Sequence, residues 1–396
     1  MIRRLLLILA WLAPPAVAQT RPADHWVGTW ACAQQAVYPA IAPPAPGLAK
    51  ATLRQVVRLS LGGGRLRVRL ANDFGGRELT IHAAHVARPT GLSAIDPQTD
   101  TPLMFDGKTT VTIPAGTSTW SDPADFPVKA GGDLAVTLRL GEIDADHITT
   151  HPGARCTSFA APGDAVSAEV LPNATASEHW YFLSGVDVVA DTRAATVVTI
   201  GDSITDGRGS TTNENGRWPD ALARRLAGRP VAVLNAGIGG NRVLRDGLGP
   251  NALARFDRDV LAQTSAKWVI VLEGVNDLGT AAPADAAATA DRLIAAYRQM
   301  IVRAHARDLK IFGGTITPFA GSPYNAPEHE AARQRVNAFV RDGGAFDGVV
   351  DFDAAVRDPS RPAALRIECD SGDHLHLNDH GYRVMADAVD LNLLTD

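Results

Sequence analysis

Four short stretches of the chain carry residues able to do chemistry together. "VTIGDSITDG" delivers Ser203 directly after a β-branched run, and "NAGIGGN" supplies Gly239, Gly240 and Asn241. "EGVND" supplies Asn276 and Asp277, and "DSGDHLHLNDHGY" sets Asp373 and His376 three residues apart. A serine hydroxyl is a weak nucleophile that needs a base, and a histidine oriented by a carboxylate provides one. Acyl transfer also develops an oxyanion, which needs donors fixed in advance. The Ser203 backbone N–H, the bare N–H of Gly240 (or its neighbour Gly239) and the Asn276 side-chain amide have that character. Each residue also has a plain structural use: Ser203 as a helix N-cap, the glycines as a turn, Asn276 in an Asx-turn. All four stretches together favour acyl transfer. His374 and His380, beside Asp370 and Asp379, are expected on the surface rather than as a metal site. No metal or other cofactor is expected.

These residues need an element to gather them. Five uninterrupted apolar runs, "AATVVTI", "VAVLNAGI", "KWVIVLEG", "LKIFGGTI" and "GVVDF", recur beyond residue 195. Runs without alternation are what a parallel sheet covered on both faces requires. Helical stripes lie between them, such as Leu293, Tyr297, Met300, Ile301 and Ala304, and then Tyr382, Met385, Ala386 and Val389. The predicted fold is a five-stranded, doubly wound, flavodoxin-like α/β domain, whose function should collect at the carboxyl ends of the strands. The fourth run ends in "TPFAGSP", with no evident catalytic group. Before residue 190 the pattern is period two, which predicts an all-β sandwich. Within it, "QVVRLSLGGGRLRVRLAN" reads as a hairpin turning at Gly62-Gly63-Gly64, with Arg65, Arg67 and Arg69 on a solvated face. Trp26, Trp30, Trp120 and Trp180 are expected mostly in the sandwich core. The short join implies two packed domains.

The second half resembles the SGNH hydrolases, also called the GDSL esterases. Gly201-Asp202-Ser203-Ile204-Thr205, "NAGIGG", "GVND" and Asp373 to His376 match the family's blocks in the family's order. Isoleucine replaces the leucine of G-D-S-L, one apolar residue for another. The resemblance implies a Ser203, Asp373, His376 triad, with the Ser203 amide, Gly240 and Asn276 as oxyanion donors. No G-x-S-x-G elbow is present, which disfavours an α/β-hydrolase. The N-terminal half, with "VGTW…AQQ" and "RVRLANDFG", more loosely resembles the β-domain of exported bacterial SGNH esterases that deacetylate plant polysaccharide. The expected organisation is a signal peptide over 1–18, a β-sandwich accessory domain over 19–190 and an SGNH hydrolase domain over 191–396. The expected activity is hydrolysis of short acyl esters, with O-acetyl groups on carbohydrate as the expected substrate. Alternatives are an arylesterase or short-chain lipase with the same triad, and a carbohydrate-binding protein with an inactive hydrolase domain.

Composition sets bounds on these readings. The chain has 396 residues, 45% hydrophobic and 20% charged, enough for two cores. Arg3 and Arg4, the apolar run Leu5 to Leu12 and Ala16-Val17-Ala18 read as a secretory signal cleaved near Ala18, for a secreted or periplasmic protein. Losing the two arginines takes the formal charge from −5 to −7, which argues against a nucleic-acid partner. The apolar run is too short to span a bilayer. The expected partner is a small-molecule ester or acetylated carbohydrate; oligomeric state is not legible. Of Cys32, Cys156 and Cys369, the first two are expected to pair as a disulfide.

Overall fold

The structure, a computed structural model, describes residues 24–395. The expected signal segment lies outside the described residues. The N-terminal half is built mostly of antiparallel sheets. One contains Trp26–Ala31, Gly63–Ala71 and Leu183–Val189, and another contains Ala51–Arg58, Leu79–Ala87 and Asp133–Leu140. Alternate residues point inward, so Leu66, Val68 and Leu70 share one core with Leu53, Val57, Ile81 and Leu138.

The expected hairpin is not formed. Ala51–Arg58 pairs with Asp133–Leu140, whereas Gly63–Ala71 pairs with Leu183–Val189 in the other sheet. The glycines let the chain cross between sheets at close quarters: a Cβ would meet the Val128 carbonyl at 2.7 Å from Gly62 and the Val189 carbonyl at 2.5 Å from Gly63. Period-two alternation reports a half-buried strand but not its partner. Nor is the arginine row simply solvated. Arg67 pairs with buried Asp187 and lies between the rings of Trp26 and Trp120, and Arg69 reaches Gln263 in the other half. Trp30 and Trp180 do enter the core, packed edge to face.

The cysteines are also corrected: all three are free and buried. Cys32 Sγ faces Gln34 and the Leu183 carbonyl, whereas Cys156 Sγ faces Asn215 and Arg217, so the two thiols occupy separate surroundings.

The C-terminal half is a parallel five-stranded sheet of β1 (Ala195–Gly201), β2 (Val231–Gly237), β3 (Ala266–Leu272), β4 (Lys310–Gly314) and β5 (Gly348–Val350), in the order β2-β1-β3-β4-β5. Every residue of β1 is buried, as a central strand covered on both faces must be. Among the helices are α1 (Ser203–Asp206), α2 (Trp218–Arg225), α3 (Ala286–His305), α4 (Pro327–Asp342) and α5 (Asp379–Asp387). Both predicted stripes are buried. The halves pack directly: Trp26–Ala31 lies against β2, the Gly28 N–H donates to the Thr264 carbonyl, and the Val233 N–H donates to Ser60 Oγ. Among the described residues, no helix is long and apolar enough to cross a membrane.

Candidate active site

Strand β1 ends at Gly201, and the chain turns at once into α1. A Cβ at Gly201 would fall 2.4 Å from the Leu272 carbonyl, so only glycine lets this turn lie on the strand end. Asp202 caps the turn by accepting the Ile204 N–H at 2.9 Å. Ser203 is thereby held at the carboxyl edge of the sheet. Its Oγ lies 2.7 Å from His376 Nε2, and His376 Nδ1 lies 2.6 Å from Asp373 Oδ2. The carboxylate can only accept, so Nδ1 carries the proton and Nε2 is left to accept from the serine hydroxyl. Asp373 Oδ1 also accepts the backbone N–H groups of Leu375 and His376. Burial pushes the Asp373 carboxyl up, but hydrogen bonds from the His376 backbone and ring outweigh it and hold its pKa down to about 2. For His376, burial disfavours the charged ring and holds its pKa below the ordinary 6.5. Asp373 opposes this, while the Arg208 and Arg155 cations reinforce it. The arrangement can take a proton from a hydroxyl near neutral pH.

Docked loops set the register of the two reacting groups. Thr211 donates its N–H and hydroxyl to the Asp379 carboxylate at the start of α5, and the Tyr382 hydroxyl donates to the Arg208 carbonyl at 2.5 Å. The segment after α1 is thus fastened to the helix that follows His376.

Gly240 and Asn276 lie at the ends of β2 and β3. Asn276 Nδ2 donates to the Asn241 carbonyl at 2.8 Å, and its Oδ1 accepts from the Tyr324 hydroxyl at 2.8 Å. The amide orientation is fixed from both sides, and the second Nδ2 hydrogen is uncommitted among the described residues. The Gly240 N–H has no partner among them either. Arg255, 1% exposed in its side chain, donates to the Gly201 and Ala236 carbonyls and to Asn241 Oδ1 at 2.6–3.0 Å, clamping the ends of β1 and β2 to the glycine loop. Beneath lie Asp202, Glu273 and Asp277. Burial raises the pKa of all three, that of Asp202 to about 7. His374 and His380 are exposed, and His374 is bonded to Asp370.

Sequence reasoning missed several neighbours of the site. Tyr324 follows the run judged empty, Arg255 sits in an ordinary-looking helix, and Asp206 meets His151 from the β-rich half at 2.9 Å. A cavity of about 270 Å³ between the β-rich half and α2 is lined by His151, Trp180 and Asp206, but not by Ser203 or His376.

A hydroxyl, imidazole and carboxylate stand in one row at the edge of a parallel α/β sheet, an arrangement suited to acyl transfer, and the molecule falls among the carboxylic ester hydrolases. Residues 199–384 match the GDSL-like Lipase/Acylhydrolase family, and the chain carries a domain of that family. No curated protein matches the chain. Among solved structures it is similar to a protein from Desulfitobacterium hafniense DCB-2 described as lipolytic and of the G-D-S-L family. The identity is 21% over 49% of this chain and 97% of that one, with a TM-score of 0.39. A protein from Agrobacterium tumefaciens str. C58 described as an arylesterase is 20% identical over 50% and 98%, with a TM-score of 0.39. The acetyl xylan esterase AlAXEase is 21% identical over 49% and 96%, with a TM-score of 0.37.

Proposed function

We propose that the protein is an exported serine esterase that removes short acyl groups, acetyl above all, from carbohydrate. The observation that carries the catalytic reading is the 2.7 Å approach of Ser203 Oγ to His376 Nε2. Ser203 attacks the ester carbonyl as His376 takes its proton, and Asp373 steadies the imidazolium. The Ser203 and Gly240 N–H groups and the Asn276 amide hold the oxyanion. His376 then protonates the departing alcohol, and water activated by the same ring cleaves the acyl-enzyme.

Two side chains support a short acyl group. Leu248 packs on Gly240, where a Cβ would come within 2.7 Å of Leu248 Cδ1, and Tyr324 stands on Asn276. Each therefore lies beside one of the proposed oxyanion donors. Carbohydrate as the alcohol rests on the likeness of the N-terminal half to the β-domain of polysaccharide deacetylases. Export rests on the basic, apolar and A-x-A order of residues 3–18. The test is a p-nitrophenyl ester series of rising chain length, alongside acetate release from acetylated polysaccharide. Acetyl should be the preferred acyl group, with polysaccharide deacetylation, and Ser203→Ala should lose about 10⁴-fold or more in kcat. A preference for long acyl chains with no polysaccharide deacetylation would favour the lipase reading.

A further inference from the structure

The strand Thr149–His151 and the loop after it belong to the β-rich half, yet they lie against the turn that carries Ser203. His151 Nε2 faces Asp206 Oδ1 at 2.9 Å, while its Nδ1 faces the Ala33 carbonyl at 2.8 Å. This buried contact ties the β-rich half to the turn that carries Ser203. Gly153 presses on the same carboxylate: a Cβ there would fall 1.8 Å from Asp206 Oδ2. Further along, Arg217 donates to the Ala154 carbonyl and the Asn213 N–H donates to the Arg155 carbonyl at 2.9 Å. Asn213 Oδ1 accepts the Thr157 N–H, and its Nδ2 donates to Thr157 Oγ1.

This bonding surrounds two residues with left-handed backbone, Asn213 at φ 70° and Arg155. Arg155 is left-handed, with φ 49°. Such strain in a non-glycine residue persists only where the surroundings impose it, and it clusters at functional sites. The Arg155 Nε is buried and makes no hydrogen bond. Among the described residues, neither Arg155 nor Arg208 forms an ion pair, although both cations act on His376. A half-buried guanidinium left without an anion is poorly solvated and suited to bidentate capture of a carboxylate.

The chemistry says which half of the substrate departs on the histidine side. His376 Nε2 gives its proton to the departing alcohol, so the alcohol oxygen passes on the histidine side. The carbonyl oxygen turns toward Gly240 and Asn276. We propose that Arg155, assisted by Arg208, recognises a carboxylate on the alcohol moiety. The preferred substrates are then acyl esters of carboxylate-bearing alcohols, a class that among carbohydrates includes the uronates. This rests on the esterase reading, and it gives the β-rich half a part in substrate selection.

The test compares para-acetoxybenzoate with its neutral analogue para-acetoxybenzamide, and acetylated oligogalacturonide with acetylated xylo-oligosaccharide, on the full chain. The wild-type protein should prefer the anionic member of each pair in kcat/KM by about tenfold or more, the scale of one charge-assisted contact. Arg155→Gln should abolish most of that preference, chiefly through KM, while Arg155→Lys retains part of it. Arg208→Gln should reduce it, and added salt should weaken it in the wild type. A flat ratio in the wild-type protein, or a ratio unchanged in both glutamine variants, would overturn the proposal whether or not Arg155→Gln folds. Ser203→Ala separates the two readings. If the wild-type protein cleaves neither ester, or Ser203→Ala still cleaves both, the serine-esterase reading fails; if the wild type cleaves both, the variant is inactive and the wild-type ratio is flat, only carboxylate recognition fails.

Discussion

Ser203 Oγ and His376 Nε2 lie 2.7 Å apart although 173 residues of chain separate them. Strand β1 fixes one group and the Asp373 turn fixes the other. The Thr211–Asp379 and Tyr382–Arg208 bonds then set the register between them. Catalytic geometry here is a product of loop docking.

Amide orientation is the second requirement. Asn276→Ala should lower kcat by about 10²–10³-fold, the cost of one oxyanion donor. Tyr324→Phe leaves the amide in place but removes the bond to Oδ1, and should cost kcat about tenfold or less, with little change in KM. Steady-state kinetics on p-nitrophenyl acetate read both; normal turnover in Asn276→Ala would remove that residue from the oxyanion site.

The pH profile follows from the surroundings of His376. Burial holds its pKa below 6.5, with Arg208 and Arg155 pressing the same way. The base must be neutral, so kcat/KM should fall only as pH drops through that lowered value, and the acid limb should lie below pH 6.5. Removing a cation eases protonation, so Arg208→Gln should move the limb to higher pH. Profiles of kcat/KM for the two proteins decide this, and a shift downward would contradict it.

Much of this site was legible because its chemistry dictates residue type. Ser203, Asp373, His376, Gly240 and Asn276 announce themselves, and five uninterrupted apolar runs announced the sheet that gathers them. The supporting shell did not. Arg255 and His151 look ordinary in sequence, since a buried arginine or histidine is defined by the carbonyls and carboxylates that fold against it. The hairpin expected at Gly62-Gly63-Gly64 failed for a related reason: alternation encodes which face is buried, but not which strand lies alongside.

Stability carries the imprint of Asp202. Burial raises its pKa to about 7, so the folded protein keeps a proton that the unfolded chain releases near its ordinary 3.8. That contribution is full below 3.8 and is lost as pH rises through about 7. Asp202→Asn keeps an oxygen to cap Ile204 and should flatten the dependence of Tm on pH across this window. An unaltered dependence would show that Asp202 is ionised throughout.

Thiol chemistry gives a count. Cys32, Cys156 and Cys369 are free, so titration in denaturant without reductant should find three thiols. One thiol would mean that two of them are joined.

The most direct measurement is covalent capture of the nucleophile. Treatment with a fluorophosphonate, followed by peptide mass spectrometry, should place a single phosphonyl adduct on Ser203, with turnover lost in proportion and no labelling in His376→Ala. A protein that stays unlabelled while hydrolysing p-nitrophenyl acetate, or an adduct on a different serine that accounts for the lost activity, would contradict the account.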